Sequence, residues 1–215
     1  MNLLRLLIDE TSMPQLILLR HGQSIWNLEN RFTGEVDVDL SPLGEEEARN
    51  AGILLKNFVI TNAYTSVLKR SIHTLEIVLK EIGVDVLVVK SAALNERNYG
   101  DLQGLNKTET EDKYGAVQVF AWRRGYKISP PNGESLAATF ERVIPYYKKE
   151  IEPKLKEGKN VLIVAHGNSL RVLMMYLENI NSTEIAEATI ETGIPRVYAY
   201  TKELNLLNVH YLYLS

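Results

Sequence analysis

The sequence contains no cysteine, no run of basic residues and no long apolar segment. Without cysteine, a disulfide scaffold, a cysteine-ligated zinc site, an iron–sulfur cluster and a cysteine nucleophile are excluded. Lys and Arg (24) are outnumbered by Asp and Glu (27), so the positive charge that nucleic-acid binding needs is missing. No stretch reaches the ~18 apolar residues of a membrane span, and the apolar run at residues 3–8 is too short for a signal-peptide core. These absences predict a cytoplasmic protein that binds neither nucleic acid nor membrane.

The remaining composition is that of an ordinary globular domain. Hydrophobic residues make up 45% and charged residues 24% of the 215 residues, with a formal net charge of −3. A chain of this length fits one domain that buries a full core without staples. We predict an N-terminal extension over residues 1–13 and a single catalytic domain over residues 14–215.

Buried strands alternate with helices along the chain. Apolar runs predict strands at residues 15–19, 63–65, 84–89 and 161–165, and two more near 196–200 and 206–214. The alternation favours an α/β fold, a three-layer sandwich in which a mostly parallel central sheet lies between helices.

The helix boundaries follow from capping residues and prolines. Ser41 and Pro42 mark one helix start, and Ser66 could cap the next helix, which ends at Gly83. Helical periodicity predicts a long helix over residues 134–157, bent near Pro145 and ended before Pro153. A helix over residues 169–177 and a shorter one around 182–188 follow.

Two of the predicted strands end in a histidine followed by a glycine, His21-Gly22 and His166-Gly167. Ligands of open α/β sheets bind beyond the carboxyl ends of the strands, and each glycine would let the backbone approach a ligand. Arg20 precedes the first pair, and Arg70 falls in the first turns of the helix after strand 63–65. Guanidinium and imidazole groups together suit a phosphoryl group.

The nucleophile predicted for this site is a histidine. The sequence has no cysteine, no P-loop and no Ser-His-Asp pattern, so neutral imidazole is the expected attacking group. The leaving oxygen needs a proton, and Glu96 is the strongest carboxylic-acid candidate. To donate at neutral pH this carboxyl must hold a proton, which burial or a nearby anion favours.

The run Leu19-Arg20-His21-Gly22-Gln23-Ser24 is similar to the signature of the histidine phosphatase superfamily. The resemblance narrows to the cofactor-dependent phosphoglycerate mutases over nearly the whole chain from Pro14. Eight further segments match in order, at residues 27–34, 64–70, 94–97, 99–100, 102–107, 122–124, 165–171 and 192–195. Three residues depart from the family pattern in these segments: Ile25 replaces an acidic residue, and Glu35-Val36 replaces an aromatic pair.

The resemblance implies a role for each matching residue. His21 would be the phosphorylated nucleophile, Glu96 the proton donor and acceptor, and Arg20, Arg70 and His166 would hold the transferring phosphoryl oxygens. Asn27 and Gly167 would be further phosphate contacts, and Thr33 and Gly34 would belong to the substrate loop. The carboxylate and the second phosphate of the substrate would be bound by five residues: Tyr99, Lys107, Arg123, Arg124 and Asn168.

The activity implied by the resemblance is the interconversion of 3-phosphoglycerate and 2-phosphoglycerate in glycolysis and gluconeogenesis. The enzyme would be primed by 2,3-bisphosphoglycerate, would use no metal, and could form a homodimer. Two alternatives stay open: a phosphatase of the same superfamily that acts on small phosphate monoesters, and an inactive phosphate-binding scaffold. Lys107, Arg123 and Arg124 favour the mutase, because a general phosphatase has no need to hold a second anion.

Overall fold

A six-stranded sheet forms the centre of the molecule. The computed structural model describes residues 13–214, so most of the predicted extension lies outside the described residues and the domain division stays a prediction. The strands are β1 (Gln15–Arg20), β2 (Asn62–Thr65), β3 (Val88–Lys90), β4 (Val161–Ala165), β5 (Arg196–Tyr200) and β6 (Leu206–Tyr211). Their order is β3-β2-β4-β1-β5-β6, with β1 to β4 mutually parallel and β5 and β6 added antiparallel.

Alternation along the strands divides the core into two faces, because successive side chains of a strand point to opposite sides. Leu16 and Leu18 of β1 belong to one apolar cluster, and Ile17 and Leu19 to another. Helices cover both clusters, which confirms the predicted three-layer α/β sandwich with a mostly parallel sheet.

The helices connect the strands and cover the sheet. They are α1 (Ile25–Leu28), α2 (Pro42–Leu54), α3 (Lys69–Ile82), α4 (Lys107–Tyr114), α5 (Ala116–Arg124), α6 (Leu136–Tyr146), α7 (Glu152–Lys156) and α8 (Gly167–Leu177). The predicted start of α2 is confirmed, since Ser41 Oγ accepts from the backbone N–H of Gly44 at 3.1 Å. Gly83 ends α3 in the left-handed region at φ 79°, as predicted.

The long helix predicted over residues 134–157 differs from the structure in its second half. Pro145 lies inside α6 and has no N–H to donate, and a π-helical turn, Tyr147–Ile151, follows it directly. The prediction that the helix ends before Pro153 is wrong. Pro153 lies in the first turn of α7, where a missing N–H is tolerated.

Three shorter predictions also need correction. Strand 84–89 is reduced to β3, a half-exposed edge strand, because β2 offers only Ala63, Tyr64 and Thr65 for pairing. The helix around residues 182–188 is a single 3₁₀ turn, Glu184–Ala186. Ser66 does not cap α3, whose N-cap residue is Leu68; the Ser66 hydroxyl lies within hydrogen-bond distance of His166.

Candidate functional site

The carboxyl ends of β1 and β4 bring the two predicted histidines together. The strands are paired up to Arg20 and Ala165, and the backbone N–H of His21 donates to the carbonyl of Ala165 at 3.0 Å. The rings of His21 and His166 lie 5.0 Å apart between centroids. The pairing register of β1 and β4 therefore places the two histidines next to each other.

The hydrogen bonds of His21 define which ring nitrogen is free to attack. Nδ1 lies 2.7 Å from the carbonyl oxygen of Gly22, so Nδ1 carries the proton and donates it there. Nε2 is therefore unprotonated and accepts from Arg70 Nε at 3.3 Å. Burial, and then the charges of Arg70 and Arg20, hold the pKa of His21 well below its ordinary value of 6.5. The ring is a neutral base at physiological pH.

His166 lies behind His21 and is fully buried. Its Nε2 is 2.8 Å from Ser66 Oγ, and Ser66 Oγ is 2.5 Å from the hydroxyl of Ser71. Burial, followed by the charge of Arg70, lowers the pKa of His166 well below 6.5. Ser66 thus orients the ring of a second neutral imidazole. The sequence pattern indicated helix capping for Ser66 and did not predict this contact.

The two predicted phosphate-binding arginines are held by backbone carbonyls. Arg70, at 1% exposure, donates from Nη2 to Gly34 at 2.7 Å and from Nη1 to Val36 at 3.0 Å. Arg20 donates from Nη1 to the carbonyl of Ile190 at 3.0 Å, while its buried Nε has no hydrogen-bond partner among the described residues. Backbone carbonyls therefore orient both guanidinium groups, and their hydrogen bonds within residues 13–214 include none to a carboxylate.

Glu96 lies beside these cations with one oxygen already bonded. Oε1 accepts from the backbone N–H groups of Arg97 at 2.8 Å and Asn168 at 3.1 Å. A Cβ on Gly167 would lie 3.7 Å from Oε2 and 3.6 Å from Arg20 Cζ. The absence of a side chain on Gly167 therefore leaves space between the carboxylate and Arg20.

Gly22 has a different role from the one predicted. A Cβ at this position would lie 2.1 Å from the carbonyl oxygen of Gly44, so the glycine is required for close packing against the start of α2. Its backbone N–H donates to Thr74 Oγ1. The prediction that both glycines let the backbone approach a ligand is wrong for Gly22.

A cavity of about 200 Å³ opens at this end of the sheet. Thirteen of the fourteen predicted site residues line this cavity, and the remaining one, His166, lies behind it. The thirteen are Arg20, His21, Asn27, Thr33, Gly34, Arg70, Glu96, Tyr99, Lys107, Arg123, Arg124, Gly167 and Asn168. Among the described lining residues, seven basic side chains face a single carboxylate. The site is built for a ligand with several negative charges.

The outer wall of the cavity comes from α1, α4, α5 and the loops between them. The Asn27 side-chain oxygen accepts from the N–H of Ser24, which leaves its amide N–H groups available to a ligand. Asn168 Nδ2 donates to the hydroxyl of Tyr99 at 3.3 Å. Burial, and then the charge of Arg123, lowers the pKa of Lys107, so an anion bound there would relieve mutual repulsion.

Sequence reasoning missed two basic residues of the cavity, Arg31 and Arg171. Arg171 is buried and donates from Nη1 to Asn168 Oδ1 at 3.0 Å, which points the amide nitrogen of Asn168 towards Tyr99. Both arginines lie in or beside segments that match the family, and Arg171 follows Asn168 by three residues on α8, on the same helix face. That spacing was the available signal.

Comparison with known proteins agrees with this geometry. The family model described as "Histidine phosphatase superfamily (branch 1)" matches residues 16–208. The 2,3-bisphosphoglycerate-dependent phosphoglycerate mutase of Cytophaga hutchinsonii is 58% identical over 200 residues, which are 93% of this chain and 94% of that protein. The chain belongs to the histidine phosphatase superfamily and, within it, to the family of that relative.

Solved structures share the fold. Bacillus stearothermophilus YhfR superposes with a TM-score of 0.80 at 23% identity, over 90% of this chain and 94% of the other. The mycobacterial glucosyl-3-phosphoglycerate phosphatase in complex with VO3 has a TM-score of 0.73 at 27% identity, over 86% and 92% of the two chains. Within residues 13–214, no helix is long and apolar enough to cross a membrane, and no group of three or more His, Asp or Glu could hold a metal ion.

Proposed function

We propose that this protein is a 2,3-bisphosphoglycerate-dependent phosphoglycerate mutase. It interconverts 3-phosphoglycerate and 2-phosphoglycerate, in glycolysis and gluconeogenesis, through a phosphohistidine enzyme and a 2,3-bisphosphoglycerate intermediate. The observation that carries this proposal is the cavity, where a neutral histidine and seven basic side chains lie with one carboxylate. A substrate with one phosphate and one carboxylate uses both the inner and the outer cations.

The described residues fit 2,3-bisphosphoglycerate as the priming donor. Arg20 Nε and Thr33 Oγ1 are buried polar atoms without a hydrogen-bond partner among the described residues, and both residues line the cavity. Arg20 and Arg70 would hold one phosphate beside His21, while the outer basic residues Lys107, Arg123 and Arg124 would hold the second phosphate and the carboxylate. When bound, this donor supplies the phosphoryl group that His21 carries.

His21 Nε2 is the atom that forms the bond to phosphorus. Its lone pair is available because Nδ1 holds the proton, and the carbonyl of Gly22 accepts that proton's hydrogen bond. The same hydrogen bond stabilises the positive charge that the ring gains on phosphorylation. Arg20 and Arg70 stabilise the equatorial oxygens during transfer, which is where most of the rate in phosphoryl transfer arises.

Glu96 moves the proton of the substrate hydroxyl. When phosphorus passes from His21 Nε2 to that hydroxyl, the hydroxyl proton must leave, and in the reverse direction it must return. Oε1 is fixed by two backbone N–H groups, so Oε2, on the open side of Gly167, is the oxygen that exchanges the proton. The proposal includes no metal ion, because arginine supplies the required charge.

The cellular setting is part of the same proposal. We place the protein in the cytoplasm and expect a homodimer, one of the oligomeric states found among members of the family that it resembles. Size-exclusion chromatography with light scattering on the full chain measures the second point directly.

One assay tests the proposed reaction. The purified protein is given 3-phosphoglycerate, with and without a trace of 2,3-bisphosphoglycerate, while 2-phosphoglycerate and free phosphate are followed. The mutase proposal predicts isomer formation that is strongly stimulated by the bisphosphate, with little free phosphate. Release of phosphate without isomer would identify a phosphatase instead, and binding without turnover would identify a scaffold.

A further inference from the structure

The loop after Thr33 orients Arg70. Gly34 adopts φ 56°, and a Cβ there would lie 2.0 Å from Gln103 Oε1, so glycine is required. The carbonyls of Gly34 and Val36 each accept one N–H from the two Nη groups of Arg70, and its Nε donates to His21. The direction of the Arg70 guanidinium therefore depends on where residues 33–37 lie.

Glu35 connects this loop to the segment that carries Glu96. One carboxylate oxygen, Oε1, accepts from Asn95 Nδ2 at 3.1 Å, and the other, Oε2, accepts from Asn98 Nδ2 at 2.9 Å. Asn95 directly precedes Glu96, and Asn98 follows it by two residues. A single exposed side chain thus bridges both ends of the segment with the proposed proton carrier.

The two asparagines are oriented to make this bridge. Asn95 Oδ1 accepts from the backbone N–H of Val67 at 3.2 Å, and Asn98 Oδ1 accepts from the backbone N–H of Gly100 at 2.7 Å. Their amide nitrogens must therefore face away from those donors, towards Glu35. Only a carboxylate can accept at both ends, because a glutamine would present an NH₂ group to one of the asparagines.

We propose that Glu35 is a positioning residue, whose carboxylate ties the loop that orients Arg70 to the segment that carries Glu96 and thereby keeps water from phosphorylated His21. This inference rests on the proposed mutase function. It assigns a role to Glu35, one of the residues at which the chain departs from its family's usual pattern.

The hydrogen bonds of Glu35 (the tie) and its negative charge should affect substrate binding in opposite directions, which makes the proposal testable. A carboxylate beside a cationic cavity weakens anion binding through its charge, while the tie strengthens the arrangement that binds the anion. Removal of the charge alone would therefore lower KM for 3-phosphoglycerate. Loss of the tie would leave Arg70 and Glu96 less well placed and would expose phosphorylated His21 to water.

The water reaction is a direct readout of the tie. A water oxygen bonds to phosphorus as the P–Nε2 bond breaks. The electron pair of the broken bond stays on Nε2, which restores the neutral imidazole, and inorganic phosphate leaves. The full-length protein is labelled with radioactive 2,3-bisphosphoglycerate, freed of ligand, and followed for release of phosphate. The same samples are assayed for kcat and KM with 3-phosphoglycerate.

The variants are Glu35→Gln, Glu35→Ala and Asn98→Ala, with Glu203→Gln as the matched control. Glu203 is an exposed carboxylate in the turn between β5 and β6, at the opposite end of the sheet from the site. We expect release of phosphate to rise about threefold to tenfold in Glu35→Ala and less in Glu35→Gln, with kcat falling more than KM changes. Asn98→Ala should also speed phosphate release, and the double variant Glu35→Ala/Asn98→Ala should release phosphate little faster than Glu35→Ala alone. The control should match the wild type.

Hydrogen–deuterium exchange provides a readout that does not depend on the reaction. Glu35→Ala should speed exchange in residues 33–37 and 95–98 and leave the strands of the sheet unchanged. If the wild type takes up no label but exchange responds in this way, the mutase proposal fails while the tie stands. Unchanged exchange, or a lower KM in Glu35→Gln with unchanged phosphate release, would overturn the role of Glu35.

Discussion

The inner and outer halves of the cavity differ in how firmly the fold holds them. The inner residues His21, Arg70 and His166 are 3%, 1% and 0% exposed and stand at the ends of β1 and β4 or at the start of α3. The outer Arg123 and Arg31 side chains are 35% and 44% exposed, and each pairs with a nearby glutamate. The residues of the proposed chemistry thus lie at the strand ends of the sheet, and those of the proposed substrate selection lie on short helices and loops.

The two halves also differ in what their charges do. In the inner half, burial and then the charge of Arg70 lower the pKa of two imidazoles and keep them neutral, which would preserve the lone pair for the proposed attack on phosphorus. In the outer half, the cations repel one another until an anion binds, as the lowered pKa of Lys107 and Arg124, due first to burial and then to Arg123, indicates. The net charge of −3 therefore says little about the ligand, since the local field selects it.

The largest expected effect comes from the inner half. His21→Ala should abolish isomerisation, to below ~10⁻⁴ of the wild-type rate, because the atom that carries the phosphoryl group is gone. It should also abolish acid-labile phosphate incorporation, measured with labelled 2,3-bisphosphoglycerate. His73→Ala is the matched control, because His73 is a half-buried residue of α3 that contacts Asp39. Retained labelling in His21→Ala would show that another residue is the nucleophile.

The next effect separates proton transfer from binding. Glu96→Gln keeps the size of the side chain and its acceptor oxygen for Arg97 and Asn168, but it cannot exchange a proton. We expect kcat to fall by roughly 10²–10⁴-fold, the usual range for loss of a general acid or base, with KM nearly unchanged. Steady-state kinetics in both directions measure this. An unchanged kcat would remove Glu96 from the reaction.

The outer half should show the opposite pattern. Arg123→Gln removes one cation from the proposed second anion site, and the loss of a charge-assisted hydrogen bond of ~1.5–3 kcal/mol should raise KM about 10- to 150-fold with a smaller change in kcat. Arg49→Gln on α2, which pairs with Glu45 on an exposed surface, is the control. A drop in kcat without a rise in KM would mean that the outer half also takes part in the chemistry.

The same division explains what could be predicted from the sequence. The strand ends were predictable, because His21, His166 and Arg70 each follow an apolar run whose direction the alternation fixes. The family resemblance predicted the outer wall. Contacts between distant loops were not predictable, because neither the bridge from Glu35 to Asn95 and Asn98 nor the Ser66 contact to His166 leaves a periodic signal.

The π-helical turn and the short β3 escaped prediction for a different reason. Periodicity over residues 134–157 indicates a helix but not whether its hydrogen bonds shift register after a proline. The length of β3 depends on its partner strand β2, of which only Ala63, Tyr64 and Thr65 pair with it. Both features depend on tertiary context that a local pattern does not contain.

The smallest effect is a pH dependence of stability that arises from the two histidines of the inner half. The pKa of His21 and His166 is lowered in the folded protein by burial and then by Arg70, whereas the unfolded chain binds protons at these histidines near 6.5. The unfolded state therefore holds more protons below about pH 6.5, and folding loses stability as the pH falls through that value. Each buried histidine contributes a slope approaching ~1.4 kcal/mol per pH unit.

Urea unfolding of the wild type at pH 7.5 and 5.5, compared with His166→Gln and the exposed His210→Gln, measures this effect. Glutamine can still reach Ser66 but does not titrate, so His166→Gln should lose less stability between the two pH values than the wild type does. His210→Gln should behave as the wild type, because its ring faces water in both states. An equal loss in all three proteins would mean that His166 takes up a proton in the folded state, and the inner half would then hold a cation where a neutral imidazole is required.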